Sequence, residues 1–235
     1  MNRQEKEGHL RKQIDFLYAP GDTFEVCLIG VPVKKHLLWG NEYTNGIVAG
    51  WFVDVDKAVK AVMEAEEQVK PTGIYVTVNP CNPQMRAISD EQLRPIKART
   101  SDKFIDRIEN FFIDIDPVRP SGTSSSVGQL GFALEKAYEV RDFLPGKDGC
   151  MFALSGNGYH LTYKADGAST QDIEKIIKFV SEKFSDEYVG IDKVVFNPAR
   201  LTKAYGTTAR KGKEVKSLNI EHRVAVIKEG CDGRI

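Results

Sequence analysis

The stretch Phe111-Phe112-Ile113-Asp114-Ile115-Asp116-Pro117 decides how the rest of this 235-residue chain is read. It reads as a buried strand that ends in two carboxylates. Side chains alternate along a strand, so Phe111, Ile113 and Ile115 take one face and Phe112, Asp114 and Asp116 the other. Pro117 lacks an N–H and stops the ladder. Two carboxylates two residues apart on one face repel each other, and both are hard to desolvate beside apolar neighbours. A positive partner is therefore expected. A divalent cation on oxygen ligands is the simplest one, and Mg²⁺ or Mn²⁺ suits these donors better than zinc. The plainer alternative is a strand-end pair that is merely solvated.

Upstream, the pattern predicts a short helix from Leu10 to Tyr18, a strand from Thr23 to Ile29 and a loop or hairpin return over Lys34 to Asn45. A strand from Gly46 to Val53 follows, and Asp54 caps a helix reaching about Val69. Ile74 to Val78 is a further strand, and Cys81 to Asp102 is an irregular connector made basic by Arg94, Lys97 and Arg99, with Lys103 just beyond. Downstream, Ser126 and Gln129 form a capping box for a helix from Val127 to Leu144. Cys150 to Leu154 and Tyr159 to Lys164 read as strands joined by Ser155-Gly156-Asn157-Gly158, and Asn-Gly between such segments signals a hairpin. Ser169 and Asp172 box a helix to about Phe184. A strand around Val194 to Phe196, a basic loop and a last strand from Arg223 to Lys228 complete an α+β order.

Composition sets outer bounds. A 41% hydrophobic and 28% charged chain can bury a sizeable core and is not disordered. No apolar run approaches the ~20 residues that span a bilayer, and Met1 to Lys6 does not begin a signal peptide. Cys27, Cys81, Cys150 and Cys231 form no CxxC pair and read as reduced thiols of a cytoplasmic protein; a zinc site from Cys150, His222 and Cys231 has no support in their spacing. Thirty-three Lys and Arg balance thirty-three Asp and Glu, so a polyanion site has to come from local clustering.

Beyond the Asp pair, three features carry chemistry. The glycines of Ser155-Gly156-Asn157-Gly158-Tyr159-His160 permit close backbone approach to a ligand, and successive N–H groups can cradle an anion, although tight hairpins need glycine anyway. Gly190-Ile191-Asp192 places another acid at the start of an apolar strand. Asn197-Pro198-Ala199-Arg200-Leu201-Thr202-Lys203 opens a basic segment in which Arg200 and Lys203 can clamp phosphate oxygens. Three carboxylates, a glycine-lined turn with a histidine and a basic grip suit two-metal chemistry on a triphosphate.

In this order the motifs resemble the archaeo-eukaryotic primase superfamily, specifically the primase–polymerase domains of phages, plasmids and other mobile elements. The first motif matches FFIDIDPVRPSGTSS with Asp114 and Asp116, the second SGNGYHL ending in His160, and the third Asp192 followed by FNPARLTKAYGT. PGDTFEV and GIYVTVNP are also similar to segments of this group. The resemblance implies an N-terminal α/β module, about residues 1–103, and an RRM-like catalytic module, about 104–235, with the active site in the cleft between them. It implies template-directed joining of NTPs or dNTPs on single-stranded or primed DNA with two Mg²⁺ or Mn²⁺ ions. Asp114, Asp116 and Asp192 would be metal ligands, His160 would meet the triphosphate, and Arg200 and Lys203 would bind its phosphates. In one departure, the superfamily writes Ser-x-His where this chain has Gly158 two before His160; Ser155 or backbone N–H groups of Gly156, Asn157 and Gly158 are candidates for the missing contact. A helicase or an accessory priming domain is the candidate partner, with no membrane involved.

Two other readings have a physical basis. Asp-x-Asp-x-Val after an apolar strand also resembles the first motif of haloacid-dehalogenase-type phosphatases, with Asp114 as nucleophile and Asp116 as acid/base, but the second acidic pair is missing and Asp232 stands alone. A non-catalytic single-strand-binding module on an RRM-like sheet would need stacking aromatics and no Asp pair.

Overall fold

The computed structural model describes residues 1–218 and 220–229. The chain folds as two units, Met1–Arg107 with Pro198–Thr208, and Ile108–Asn197 with the described residues of 209–229. In order, the elements are α1 (Arg3–Leu17), β1 (Phe24–Ile29), β2 (Ile47–Phe52), α2 (Val55–Glu64), β3 (Gly73–Thr77), β4 (Arg94–Pro95), β5 (Asn110–Pro117), α3 (Val127–Phe143), β6 (Met151–Leu154), β7 (Tyr159–Lys164), α4 (Thr170–Phe184), β8 (Val189–Ile191), β9 (Leu201–Lys203), β10 (Thr208–Ala209), β11 (Arg223–Val224) and β12 (Val226–Glu229). Among the described residues no helix is long and apolar enough to cross a membrane.

The first unit is an antiparallel sheet ordered β4-β2-β1-β3-β9. One face packs Val26, Leu28, Val48, Ile74 and Val76 against Leu10, Ile14 and Leu17 of α1 and Val59, Val62 and Met63 of α2. The other face is also covered: Trp51 packs with Cys81, Met85, Ile96, Phe104 and Ile105 of the connector. Glu25 on this face is consequently fully buried, although strand alternation alone would give it to solvent. Helix α1 begins seven residues before the expected Leu10, because Asn2 and Glu5 close a capping box. The helix begun at Asp54 ends its regular part at Glu64 and finishes in a π turn over Ala65–Val69.

In the second unit, β5-α3-β6-β7-α4-β8 is a split βαβ arrangement on an antiparallel sheet ordered β12-β6-β7-β5-β8. This is the RRM-like topology expected, with β12 added at one edge. Ile113, Ile115, Phe152 and Leu161 pack against Leu130, Ala133, Ala137 and Val140 of α3 and Val180 of α4. The capping boxes at Ser126 and Ser169 are both formed.

Three expectations are corrected. Val194–Phe196 is a turn; the strand that joins the sheet is β8, so Asp192 follows a strand instead of opening one. The basic segment after Asn197 contributes β9, an edge strand paired with β3. The last strand is divided, with Ala225 between β11 and β12. Cys27, Cys81 and Cys150 are buried and form no disulfide among the described residues; Cys231 and Asp232 lie outside the described residues.

Candidate active site

Antiparallel register turns the alternation along β5 into rows across the second unit's sheet. Ile113 and Ile115 have no exposed surface and belong to the helix side. On the other face, Asp114 is paired with His160 of β7. On its other side, the Asp192 N–H donates to the Asp114 carbonyl at 3.0 Å, continuing the β5–β8 register by one step. Directly opposite residues of an antiparallel pair share a face, so the positions of His160, Asp114 and Asp192 form one row. In the next row, Asp116 is paired with Gly190, and Gly158 lies on its other side, where a Cβ would come within 2.2 Å of Asp116 Oδ1. Asp116 is thus flanked by two glycines, and neither neighbour has a side chain that could cover its carboxylate.

His160 Nε2 lies 3.4 Å from Asp114 Oδ1. The imidazole is buried and packs at 5.0 Å from the Phe112 ring. Asp116 is half-exposed, yet its carboxyl sits above the usual range: partial desolvation is the main cause and the charge of Asp114 the second, with Arg119 and His160 pulling the other way. Arg119 is a residue the motif reading quoted without assigning a role. Its Nη2 is 3.4 Å from Asp116 Oδ2, while Nε donates to the Thr123 carbonyl and Nη1 to that of Pro117. The loop carbonyls therefore fix a cation beside the acidic row.

Among the described residues no three His, Cys, Asp or Glu side chains gather closely enough to hold a metal ion. Asp192 Oδ1 accepts the N–H of Val194 at 2.9 Å, within its own turn. What β5 offers is a pair of hard carboxylate oxygens on one partly open face. That donor set fits Mg²⁺ or Mn²⁺, because Mg²⁺ is commonly held by one or two carboxylates plus substrate phosphates and not by an all-protein cage.

The Ser155–His160 turn is tied to its surroundings by the residues read as nucleotide contacts. Ser155 Oγ donates to the Gly158 carbonyl at 3.0 Å and accepts the Gly158 N–H at 3.2 Å, so the hydroxyl serves the hairpin. Both ends of the Asn157 amide are engaged: Oδ1 accepts the Ser125 N–H at 3.0 Å and Nδ2 donates to the Lys211 carbonyl at 3.1 Å. Gly156 is required by a left-handed φ of 110°, and a Cβ there would meet that of Ala209 at 2.4 Å. These ties join the turn to the loop before α3 and to the loop after β10.

Arg200 and Lys203 belong to the first unit. The Arg200 carbonyl accepts the Val78 N–H, and Lys203 lies on β9 opposite Tyr75. Lys203 is 4% exposed; its ammonium donates to the Thr208 carbonyl at 3.1 Å and sits 5.2 Å from the centre of the Tyr75 ring. Gln13 of α1 was not singled out from the sequence. It is fully buried, and its amide donates to the Lys203 carbonyl and accepts the Tyr205 N–H, each at 2.8 Å. A polar side chain within an amphipathic helix gave no signal for this backbone clamp.

The chain has an α+β, primase-like fold. The crystal structure of primase RepB' is similar to it in fold, at a TM-score of 0.50 and 12% identity, over 97% of this chain. This chain spans 57% of the length of that structure. No protein-family model matches the chain, and no curated protein sequence does.

Proposed function

We propose that this chain is a primase–polymerase catalytic domain, a nucleotidyltransferase of the primase superfamily that joins NTPs or dNTPs on single-stranded or primed DNA. The observation that carries the reading is the row of His160, Asp114 and Asp192, with Asp116 beside it between two glycines, on the face of a split βαβ sheet opposite its helices. Asp114 and Asp116 would hold two Mg²⁺ or Mn²⁺ ions, with Asp192 as the further ligand. When bound, the ions would supply a lowered pKa for the attacking 3′-hydroxyl and charge compensation for the triphosphate. His160, with its ring fixed by Phe112 and Asp114, would meet the triphosphate through Nε2. Arg200 would bind phosphate oxygens directly, and Lys203 would add positive charge while shaping the same segment. Arg119 would keep Asp116 oriented and temper the repulsion between the two acids. A helicase or accessory priming domain is the proposed partner within a mobile-element replication system.

Labelled nucleotide incorporation on primed and unprimed single-stranded templates, with Mg²⁺ or Mn²⁺ and with chelator, tests this. Asp114→Ala should abolish metal-dependent incorporation while retaining a cooperative unfolding transition. Near-normal extension by that variant in Mn²⁺ would refute the assignment. Template binding that persists with no incorporation under any of these conditions would favour a single-strand-binding module.

A further inference from the structure

The basic connector of the first unit is built as a strap pinned from within. Ile96 packs against the cluster of Trp51, Cys81 and Met85. Thr100 is buried; its N–H donates to Glu25 Oε2 at 3.1 Å, and its hydroxyl accepts the Trp51 indole N–H at 2.9 Å. Beyond it, Phe104 N–H bonds the Ser101 carbonyl and Asn82 N–H bonds that of Phe104, each at 2.8 Å. The residues between these anchors face solvent. Lys97, Arg99 and Lys103 are exposed, and among the described residues none of the three forms an ion pair or donates a hydrogen bond. Lys103 only passes over the Phe104 ring at 4.9 Å. Elsewhere in this unit, Arg3, Lys6, Arg11, Lys57, Arg86 and Arg94 each reach a carboxylate within 4.0 Å.

Arg99 acts electrostatically on the buried Glu25, yet three exposed cations within seven residues, none of them in an ion pair, still repel one another, and a polyanion relieves that repulsion. An anchored backbone also loses little freedom when a ligand arrives, so electrostatic attraction is not spent on ordering the loop. We infer that this strap is a phosphate-contacting face for a single-stranded nucleic acid, carried by the first unit's own residues. The inference rests on the proposed function, in which a template strand is the polyanion at hand. It adds a contact that contains none of the carboxylate, histidine or Arg200 positions.

The test is fluorescence anisotropy of the full chain with a labelled oligodeoxythymidylate of about 20 nucleotides, in chelator, across ~0.05 to ~0.4 M salt. Each single-strand phosphate contact contributes roughly 0.7 to the slope of log affinity against log salt, so Lys97→Ala/Arg99→Ala/Lys103→Ala should flatten it by about 2. With the two lines meeting near ~1 M, affinity at ~0.1 M falls roughly 100-fold. Lys12→Ala/Lys60→Ala/Lys175→Ala removes the same charge from other exposed positions and should leave the slope near wild type. Lys97→Arg/Arg99→Lys/Lys103→Arg should retain it. An unchanged slope in the strap variant, an equal loss in the control triple, or a strap that gathers anionic vesicles but no oligonucleotide overturns the inference. Strap-dependent binding in a wild type that incorporates no nucleotide upholds the strap and removes the proposed activity. Normal incorporation with strap-independent binding does the reverse.

Discussion

Gly158 lies against β5, and the structure makes replacing it costly. Its φ is not in the left-handed region, so backbone dihedrals do not demand glycine. The constraint is the neighbouring strand: a Cβ at 158 would lie 2.4 Å from the Ile115 carbonyl oxygen and 2.2 Å from Asp116 Oδ1. The carboxylate can swing away, but the carbonyl belongs to the β5–β7 ladder. Restoring a contact of 3.0 to 3.4 Å requires the strands to part by about 0.6 to 1 Å there. Overpacking of this kind costs roughly 1–3 kcal/mol, while replacing glycine returns about 0.4–1 kcal/mol through the unfolded chain. Gly158→Ala should therefore lose about 1–2 kcal/mol, read as a lower urea midpoint at unchanged slope. Gly158→Ser should do no better, and both should lower metal-dependent incorporation by displacing Asp116. Equal or greater stability in Gly158→Ala would refute the argument from strand spacing.

Gln13→Ala removes two buried hydrogen bonds, the one its amide donates to the Lys203 carbonyl and the one it accepts from the Tyr205 N–H; the loss costs about 1–3 kcal/mol, and a urea titration showing no measurable change would show that water or relaxation replaces the clamp. Glu25 is fully buried, its Oε1 has no hydrogen-bond partner among the described residues, and burial raises its carboxyl against the opposing bonds from Thr100. The folded state therefore holds this proton more tightly than the unfolded state, so its contribution is most favourable below the unfolded pKa and declines as pH rises from there to the raised folded value. Glu25→Gln should remove that decline, and identical stability-versus-pH curves for variant and wild type would contradict it.

Much of the second unit was legible because its signals are local. The β5 alternation, the Asn157-Gly158 hairpin and the capping boxes at Ser126 and Ser169 depend on residues close in sequence, and all formed. Long-range pairing was harder to read. Strands β4, β9 and β10 are two or three residues long and owe their extended form to a partner far away in the chain. Val189-Gly190-Ile191 lost to the more apolar Val194-Val195-Phe196 because a glycine interrupts it, yet that glycine keeps the space beside Asp116 open. Burial of Glu25 was illegible for another reason: alternation shows that a strand has two faces, but not that the 80–105 segment will cover the second.

The return of Pro198–Thr208 to the first sheet bears on how the protein is made. A ribosome that has released Met1–Arg107 has delivered β1 to β4 but not the strand that completes their edge, which emerges only after Ile108–Asn197 has been synthesised. Until then the outer edge of β3 exposes unpaired N–H and C=O groups, the condition under which nascent chains pair with the wrong strand. A truncation after Arg107 would freeze the protein at that stage. Separate expression of the first unit would require a graft that carries residues 198–208 back beside β3.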